Sequence, residues 1–342
     1  MNPLISILIP AYNVEKWIKY SIKSALLQTW KNKEIIIVDD GSTDNTLKIA
    51  KRFESKYVKV VSQENKGASN ARNRALSLSQ GDFIQWLDAD DLLSPKKIAL
   101  QLKHSDKNPN TKILFSSSWG RCYYRPNKAV FDYDNPLCQD LSPVDWMMIH
   151  LGSIKMMAPC NWLVSRKLTD LAGNWDERLS FNDDGEYFSR VIFNSDYIKY
   201  VKEAKCYYRS INIKSLSRAN SIIAIKSFFL SIELNINLFL KMIDNEESRK
   251  ACINQLFYFI KRDEHNYEYK RKVKEIILRL GGNICDFDKC YRFSYKYNIL
   301  KFICGKKTKL LIRNIDNIRI AINSNIDRIL FILEKQNIKM KL

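Results

Sequence analysis

The sequence predicts an α/β fold built on a mostly parallel sheet, followed by a helical C-terminal extension. Three observations predict it. Short apolar runs alternate with amphipathic helix patterns through the first 117 residues. Each run ends in a cluster of polar residues. From residue 216 onward the pattern is helical and rich in Lys, Asn and Ile, broken once at Gly281-Gly282. Alternating strands and helices pack as a parallel sheet covered by its crossover helices. Ligands of such sheets bind beyond the carboxyl ends of the strands.

The elements follow in order. "LISILI", residues 4–9, is a continuous apolar run, as expected of a strand covered on both faces. "PAYN" follows it, then a helix with Ile18, Ile22, Ala25 and Leu26 on one face. "EIIIVDD" is a second covered strand ending in Asp39 and Asp40. In "GSTDNT", Gly41 allows a tight turn, and Ser42 or Thr43 can cap a helix whose apolar face is Leu47, Ala50 and Phe53. "YVKVVS" is a third strand, and "GASNARNRALSLS" is a loop leading into a helix. "DFIQWL" is a fourth strand, running into "DADD". Ser94-Pro95 starts another helix, and "KILFSS" is a fifth strand. Residues 118–215 are less regular and rich in Trp, Tyr and Asn.

Bulk properties bound the function. At 342 residues, with 46% hydrophobic and 27% charged side chains, a packed core is expected and global disorder is excluded. The net charge is +19, of which residues 216–342 contribute +12 (25 Lys/Arg against 13 Asp/Glu). That bias suits an acidic partner such as anionic lipid or phosphate. Eight cysteines without a CxxC pair, and no secretory signal in "MNPLISILIPAYN", read as reduced thiols in a cytoplasmic protein. The longest apolar stretch, residues 221–243, is interrupted by Lys226, Glu233, Asn235 and Asn237. A central charge costs about 2.5–3.5 kcal/mol on insertion scales, so a buried or surface-docked helix is the expected state.

Four polar clusters should meet at one sheet edge: "PAYN", "DDGS", "NKGASNARN" and "DADD". Each has a plain and a chemical reading. Asp88, Asp90 and Asp91 form either a solvated turn or the oxygen ligands of a divalent cation that also grips a diphosphate. Tyr12 is either a core ring or a platform for a base. Asp40 either sits in the field of the next helix or accepts from a base N–H. Arg72 either forms a surface ion pair or reaches a base carbonyl or phosphate, with Gly67 permitting close backbone approach. Asp183 and Asp184, before the helical "EYFSRVIF", either cap that helix or supply a general base. His104, His150 and His265 lie outside these clusters and read as structural or exposed.

Together these segments resemble glycosyltransferase family 2, inverting enzymes of the GT-A fold and of bacterial surface-polysaccharide type. The resemblance is carried in order by "SILIPAYN", "IIIVDDGSTDNT", "NKGASNARNRAL", "GDFIQWLDADD", "GNWDERL", "NDDGEYFSRV" and "YYR…SLS", spanning about residues 4–217. It implies a Rossmann-like nucleotide-diphospho-sugar transferase sheet. Pro10, Ala11 and Tyr12 would line the base, Asp40 would read its imide edge, and Gly67 and Arg72 would complete the pocket. Asp88 would lie by the ribose and diphosphate, Asp90 would bind Mn2+ or Mg2+, and Arg209 would reach the diphosphate. Asp184, or its neighbour Asp183, would be the catalytic base; the family's Glu-Asp pair reads Asp-Asp here. Trp175, Asp176 and Glu177 would shape the acceptor side. The implied reaction moves a sugar, from a UDP-sugar on family grounds, to a glycan or lipid-linked acceptor.

The expected divisions are residues 1–117 for the donor half, 118–217 for the acceptor half and 218–342 for the basic helical region. Residues 296–315, "KYNILKFICGKKTKLLIRNI", mix apolar and cationic side chains and form either a solvated helical face or a surface that rests on an anionic membrane, which would place the protein at the inner face of the plasma membrane. Two rival classes stay open at this point, a nucleotidyltransferase and a non-catalytic nucleotide-sugar-binding protein. "PAYNVEKW" lacks the glycine-rich phosphate loop of the first. A nucleic-acid partner is not expected, since no zinc-finger or RRM signature appears.

Overall fold

The computed structural model describes residues 2–105, 111–210, 221–262, 267–283 and 327–328. Its first sheet contains β1 (Ile5–Ala11), β2 (Lys33–Asp40), β3 (Val58–Gln63) and β4 (Phe83–Trp86). The order is β3-β2-β1-β4, all parallel, with β8 (Val164–Ser165) added antiparallel at the β4 edge. Residue parity explains its two buried faces. Leu8, Ile36, Val38, Ile84 and Trp86 join one core. Ile5, Ile7, Ile9, Ile35 and Ile37 join the other.

The second core is closed by α1 (Ile18–Leu26), α2 (Thr46–Lys51) and α4 (Lys97–Leu102), through Ile18, Ile22, Ala50 and Ile98. The first face is covered by α3 (Ala68–Ser77), through Ala71 and Ala75. The same core continues into α5 (Pro143–Ser153), α6 (Arg166–Ala172) and α7 (Asp183–Asn194). It extends into α8 (Ile222–Met242), α9 (Glu246–Arg262) and α10 (Tyr267–Arg279). The helical extension is thus built on the same apolar mass as the sheet. By length and composition α8 could cross a membrane, but half of its apolar window is buried in the fold. Phe228, Phe229, Ile232, Ile236 and Phe239 form its inward face.

The expected fifth strand joins a second sheet. β5 (Leu92–Leu93), β9 (Tyr197–Arg209), β6 (Ile113–Cys122) and β7 (Val130–Phe131) lie in that order. β6 runs parallel to β9, and passes through the expected division at residue 117. The pairing joins segments some 80 residues apart, which local patterning does not reveal. α4 begins two residues beyond Ser94-Pro95, with the Ser94 carbonyl accepting from Lys97 N–H. The expected Ser42 or Thr43 cap is also replaced. Ser42 Oγ accepts from Asn13 N–H, and Asp44 Oδ1 accepts from Thr46 N–H at the start of α2. The five described cysteines are free thiols.

Candidate functional site

The carboxyl ends of β1, β2 and β4 open on the same side of the sheet as the starts of α3 and α7. At the end of β1, Ala11 is buried, Pro10 is half-buried and Tyr12 is 48% exposed. Tyr12 is therefore not a core ring. The loop behind it is fixed by Asn13, a left-handed residue (φ 50°) whose side-chain carbonyl accepts from Thr43 N–H at 2.8 Å. Val14 N–H donates to Thr46 Oγ1 in the same junction.

Asp40, at the end of β2, is buried and organises the next loop. Its carboxylate accepts from Gln63 Nε2 (2.8 Å), Lys66 N–H (2.9 Å) and Gly67 N–H (2.9 Å). Three of about four lone-pair positions are used, leaving one for a ligand. Gly67 has φ 91° with no atom within 4 Å of where a Cβ would sit, so glycine is required for its backbone angle and not for space.

The crowded carboxylates of "DADD" diverge. Asp88 turns to Arg72, with Nη2–Oδ1 at 3.0 Å. Asp91 is buried, accepts from Arg209 N–H at 2.9 Å and is held well above the usual carboxylate range by burial and by Asp90. Asp90 alone is half-buried without a hydrogen-bond donor from another described residue. Burial, then the neighbouring Asp88, pushes its acid up to about 6. An unpartnered carboxylate held ready for charge compensation fits a divalent cation. Among the described residues no three acidic, His or Cys side chains form a metal site by themselves.

Two arginines behave differently from expectation. Arg72 lies on α3, not in a loop, and is buried. Its guanidinium is engaged by two half-buried carboxylates. Nη1 pairs with Asp183 Oδ2, Nη2 pairs with Asp88, and the plane lies 4.3 Å over the Trp175 ring. Arg209, expected at the diphosphate, is buried against Trp17, 4.3 Å from its ring. Its Nε donates to the Asp90 carbonyl, and Nη1 donates to the carbonyls of Tyr123 and Tyr124. It holds the backbone of the acidic turn. The loop it grips is held from the far end of the chain: Asp327 accepts from the N–H groups of Tyr124 and Arg125 and pairs with the Arg125 guanidinium.

Asp183 and Asp184 occupy the first turn of α7, inside the cap position, which is the left-handed Asn182 (φ 58°). Asp184 Oδ1 accepts from Gly185 N–H at 2.9 Å. Burial, then the adjacent Asp183, raises its acid to about 7, while Arg72 pulls it down. Asp183 is engaged by Arg72 and by Ser69 Oγ, whereas Asp184 has no ion-pair partner among the described residues. Trp175 does not face an acceptor. It is a core ring stacked on Tyr187 at 4.1 Å. Glu177 accepts from Asn70 and Asn73, and Asp176 pairs with Arg178.

Sequence reasoning missed Trp17 and Lys97. Lys97 is fully buried, donating to Gln85 Oε1 (2.6 Å) and Gln101 Oε1 (2.9 Å), and burial lowers it to about 8. The signal available was a Gln inside an apolar strand, "DFIQWL". His150 is buried, with Nδ1 against the Lys155 carbonyl, and is held below the usual His range by burial. His265 and residues 296–315 lie outside the described residues.

Solved structures share this architecture and define its class, the GT-A glycosyltransferase fold. S. aureus TarS 1–349, in complex with UDP-GlcNAc, aligns at TM-score 0.59 and 18% identity, over 85% of this chain and 90% of that one. A mannosyltransferase from Pyrobaculum calidifontis, in complex with GDP-Man and Mn2+, aligns at TM-score 0.52 and 14% identity, over 88% and 81%. Residues 6–133 match the model of Glycosyl transferase family 2, and that segment belongs to the family. Chondroitin synthase of Escherichia coli is 30% identical over 250 residues, 69% of this chain and 35% of that protein. The UDP-Glc:alpha-D-GlcNAc-diphosphoundecaprenol beta-1,3-glucosyltransferase WfgD of Escherichia coli is 42% identical over 136 residues, 38% of this chain and 54% of that one. The chain thus spans about a third to a half of the length of these two relatives.

Two outcomes test the electrostatics. Arg72→Met leaves Asp88 and Asp183 facing each other without a cation. The loss of one partner from a buried pair typically costs about 3–5 kcal/mol, so thermal unfolding should show a clear drop in Tm. A mutant Tm equal to the parent's would remove Arg72 from its bridging role. Asp184 has a raised acid in the fold, against about 3.9 in the unfolded chain. Its contribution is fully present below pH 4 and is lost as pH rises through about 7. Asp184→Asn should therefore gain Tm over the parent at pH 8 and not at pH 4, measured without divalent metal. An offset independent of pH would contradict this.

Proposed function

We propose that the protein is an inverting glycosyltransferase of hexosyltransferase type, using a UDP-sugar and a hydroxyl of a glycan or lipid-linked acceptor in cell-surface polysaccharide synthesis. The observation that carries the reading is the Arg72 bridge, which ties the turn holding Asp90 to the start of α7 holding Asp184. Asp90 is an unpartnered acid at the end of β4, and Asp184 is a raised acid at the start of α7, with Arg72 bridging Asp88 and Asp183. The family match and the sugar-nucleotide complexes of TarS and the mannosyltransferase support the donor class.

In this reading the half-exposed Tyr12 stacks on the base, beside Pro10 and Ala11. The free lone pair of Asp40 accepts from the imide N–H, and the Gly67 backbone closes the pocket. Asp88 lies by the ribose and diphosphate. Asp90 holds Mn2+ or Mg2+, which when bound supplies electrostatic stabilisation of the leaving diphosphate. Arg209 fixes the turn that aims Asp90. Asp184 takes the proton of the attacking hydroxyl, and an acid near 7 is well matched to that task. A single displacement from the opposite face inverts the anomeric centre, so no protein nucleophile is required.

Nucleoside diphosphate release from a panel of sugar nucleotides tests the reaction. Metal-dependent release from one donor is expected. It should fall about 10²–10⁴-fold in Asp184→Asn, the range for a general base, and be abolished in Asp90→Ala. Release of pyrophosphate instead would identify a nucleotidyltransferase. We further propose a position at the inner face of the plasma membrane, resting on the charge of residues 296–315. The full chain should float with anionic vesicles and not with neutral ones; equal recovery from both would end that placement.

A further inference from the structure

A cleft of about 610 Å³ lies apart from the acidic turn, on the second sheet. It is lined by Ser94, Lys96, Leu100, Tyr133, Lys202 and Lys205, with Glu203 its one acidic lining residue. Its volume is in the usual range for a ligand of a few rings, about 300–1,000 Å³. Among the described residues none of the three lysines has an ion-pair partner. Two of them rest their ammonium groups on aromatic faces. Lys202 Nζ is 5.4 Å from the Tyr133 centroid, and Lys205 Nζ is 5.2 Å from that of Phe131.

The backbone is shaped to present this arrangement. The β6–β9 register shifts between Ser117 and Ser118, so that Val201 and Lys205 occupy successive partner positions and residues 202–204 bulge out. The Lys202 carbonyl accepts from Ser118 Oγ at 2.9 Å, fixing the bulge. Bulges of this sort re-aim side chains at functional edges. Opposite, Gly120 lets the Phe131 ring lie against the sheet, since a Cβ there would meet that ring at 2.8 Å. Phe131 then stacks parallel to Tyr133 (5.6 Å, 9°) and edge-on to Tyr207 (5.9 Å, 73°). The result is an aromatic floor, partly open at Tyr133 (43% exposed), bordered by unpaired cations.

We propose that this cleft is a second carbohydrate subsite, which holds an anionic stretch of the glycan that the transferase acts on. Sugar rings stack by their C–H faces on Tyr133, and carboxylate or phosphate substituents meet Lys96, Lys202 and Lys205. Lys205, Tyr207 and Arg209 share one face of β9, so the cleft lies roughly 13 Å along the strand from Arg209. A polymer of a few sugars spans that distance. The proposal rests on the transferase reading and specifies its acceptor as an anionic chain.

The test is titration calorimetry of the full chain with three hexamers: oligogalacturonate, glycerol phosphate oligomer and neutral maltohexaose. Sugar-nucleotide hydrolysis is measured in parallel. One or both anionic hexamers should bind, weakening with salt, and maltohexaose should not. The pair of anionic arms separates carboxylate from phosphate recognition. K202A/K205A should lose at least tenfold in affinity, and Tyr133→Leu should weaken binding with its Tm kept, while donor hydrolysis is unchanged in both. Equal affinity for maltohexaose, unchanged affinity in K202A/K205A, no binding of either anionic hexamer, or tighter binding of single-stranded DNA of equal charge would overturn the subsite. Hydrolysis that persists in any of those cases leaves the transferase reading standing.

Discussion

The Arg72 guanidinium is the interaction on which the site depends. It is the one cation placed between Asp88, at the end of a sheet strand, and Asp183, at the start of α7. Without it two half-buried carboxylates from distant parts of the chain would repel each other. Trp175 holds the guanidinium plane from one side, and Tyr187 holds Trp175 in turn. The floor of the site is therefore a continuous stack in which aromatic packing fixes a charge, and that charge fixes two carboxylates. Asp90 and Asp184 are the acids this frame leaves uncommitted.

The acidic turn shows how crowded like charges are tolerated. Each carboxylate is sent to a different neighbour: Asp88 to a guanidinium, Asp91 to a backbone N–H of β9, and Asp90 to the opening. Arg209 compensates the cluster from behind without forming an ion pair with it, by holding carbonyls. Its charge lowers the Asp90 acid while burial and Asp88 raise it. The balance keeps Asp90 poised, and not locked into a structural pair.

Much of the first sheet was legible in the sequence because its strands are covered on both faces, which forces unbroken apolar runs. The positions of the polar clusters followed from the parallel topology, which put Tyr12, Asp40, Asp88 and Asp90 at one sheet edge, whereas Asp184 was singled out only by the family resemblance. What was not legible depends on contacts between distant segments. The partnership of β6 and β9 leaves no local trace, nor does the meeting of Trp17 with Arg209. Arg72 was read as a reaching side chain because its burial depends on α7, more than 100 residues away. Trp175 was placed on the acceptor side by the family resemblance, and its burial beneath Arg72 and Tyr187 depends on equally distant contacts. Lys97 was invisible because a lysine in a short helix normally points outward.

The hold of Asp327 on Tyr124 and Arg125 has a consequence for how the protein comes into being. The carboxylate lies 203 residues beyond the Tyr124 amide it binds. At about 5–20 residues per second, a ribosome needs roughly 10–40 s to travel between them. Domains fold as they emerge, so the first sheet and its acidic turn are in place before the segment that anchors the Tyr124 loop has been made. During that interval the Tyr124 loop lacks its contact with Asp327. The nascent chain can thus assemble its first sheet early, while the Tyr124 loop gains its Asp327 contact late.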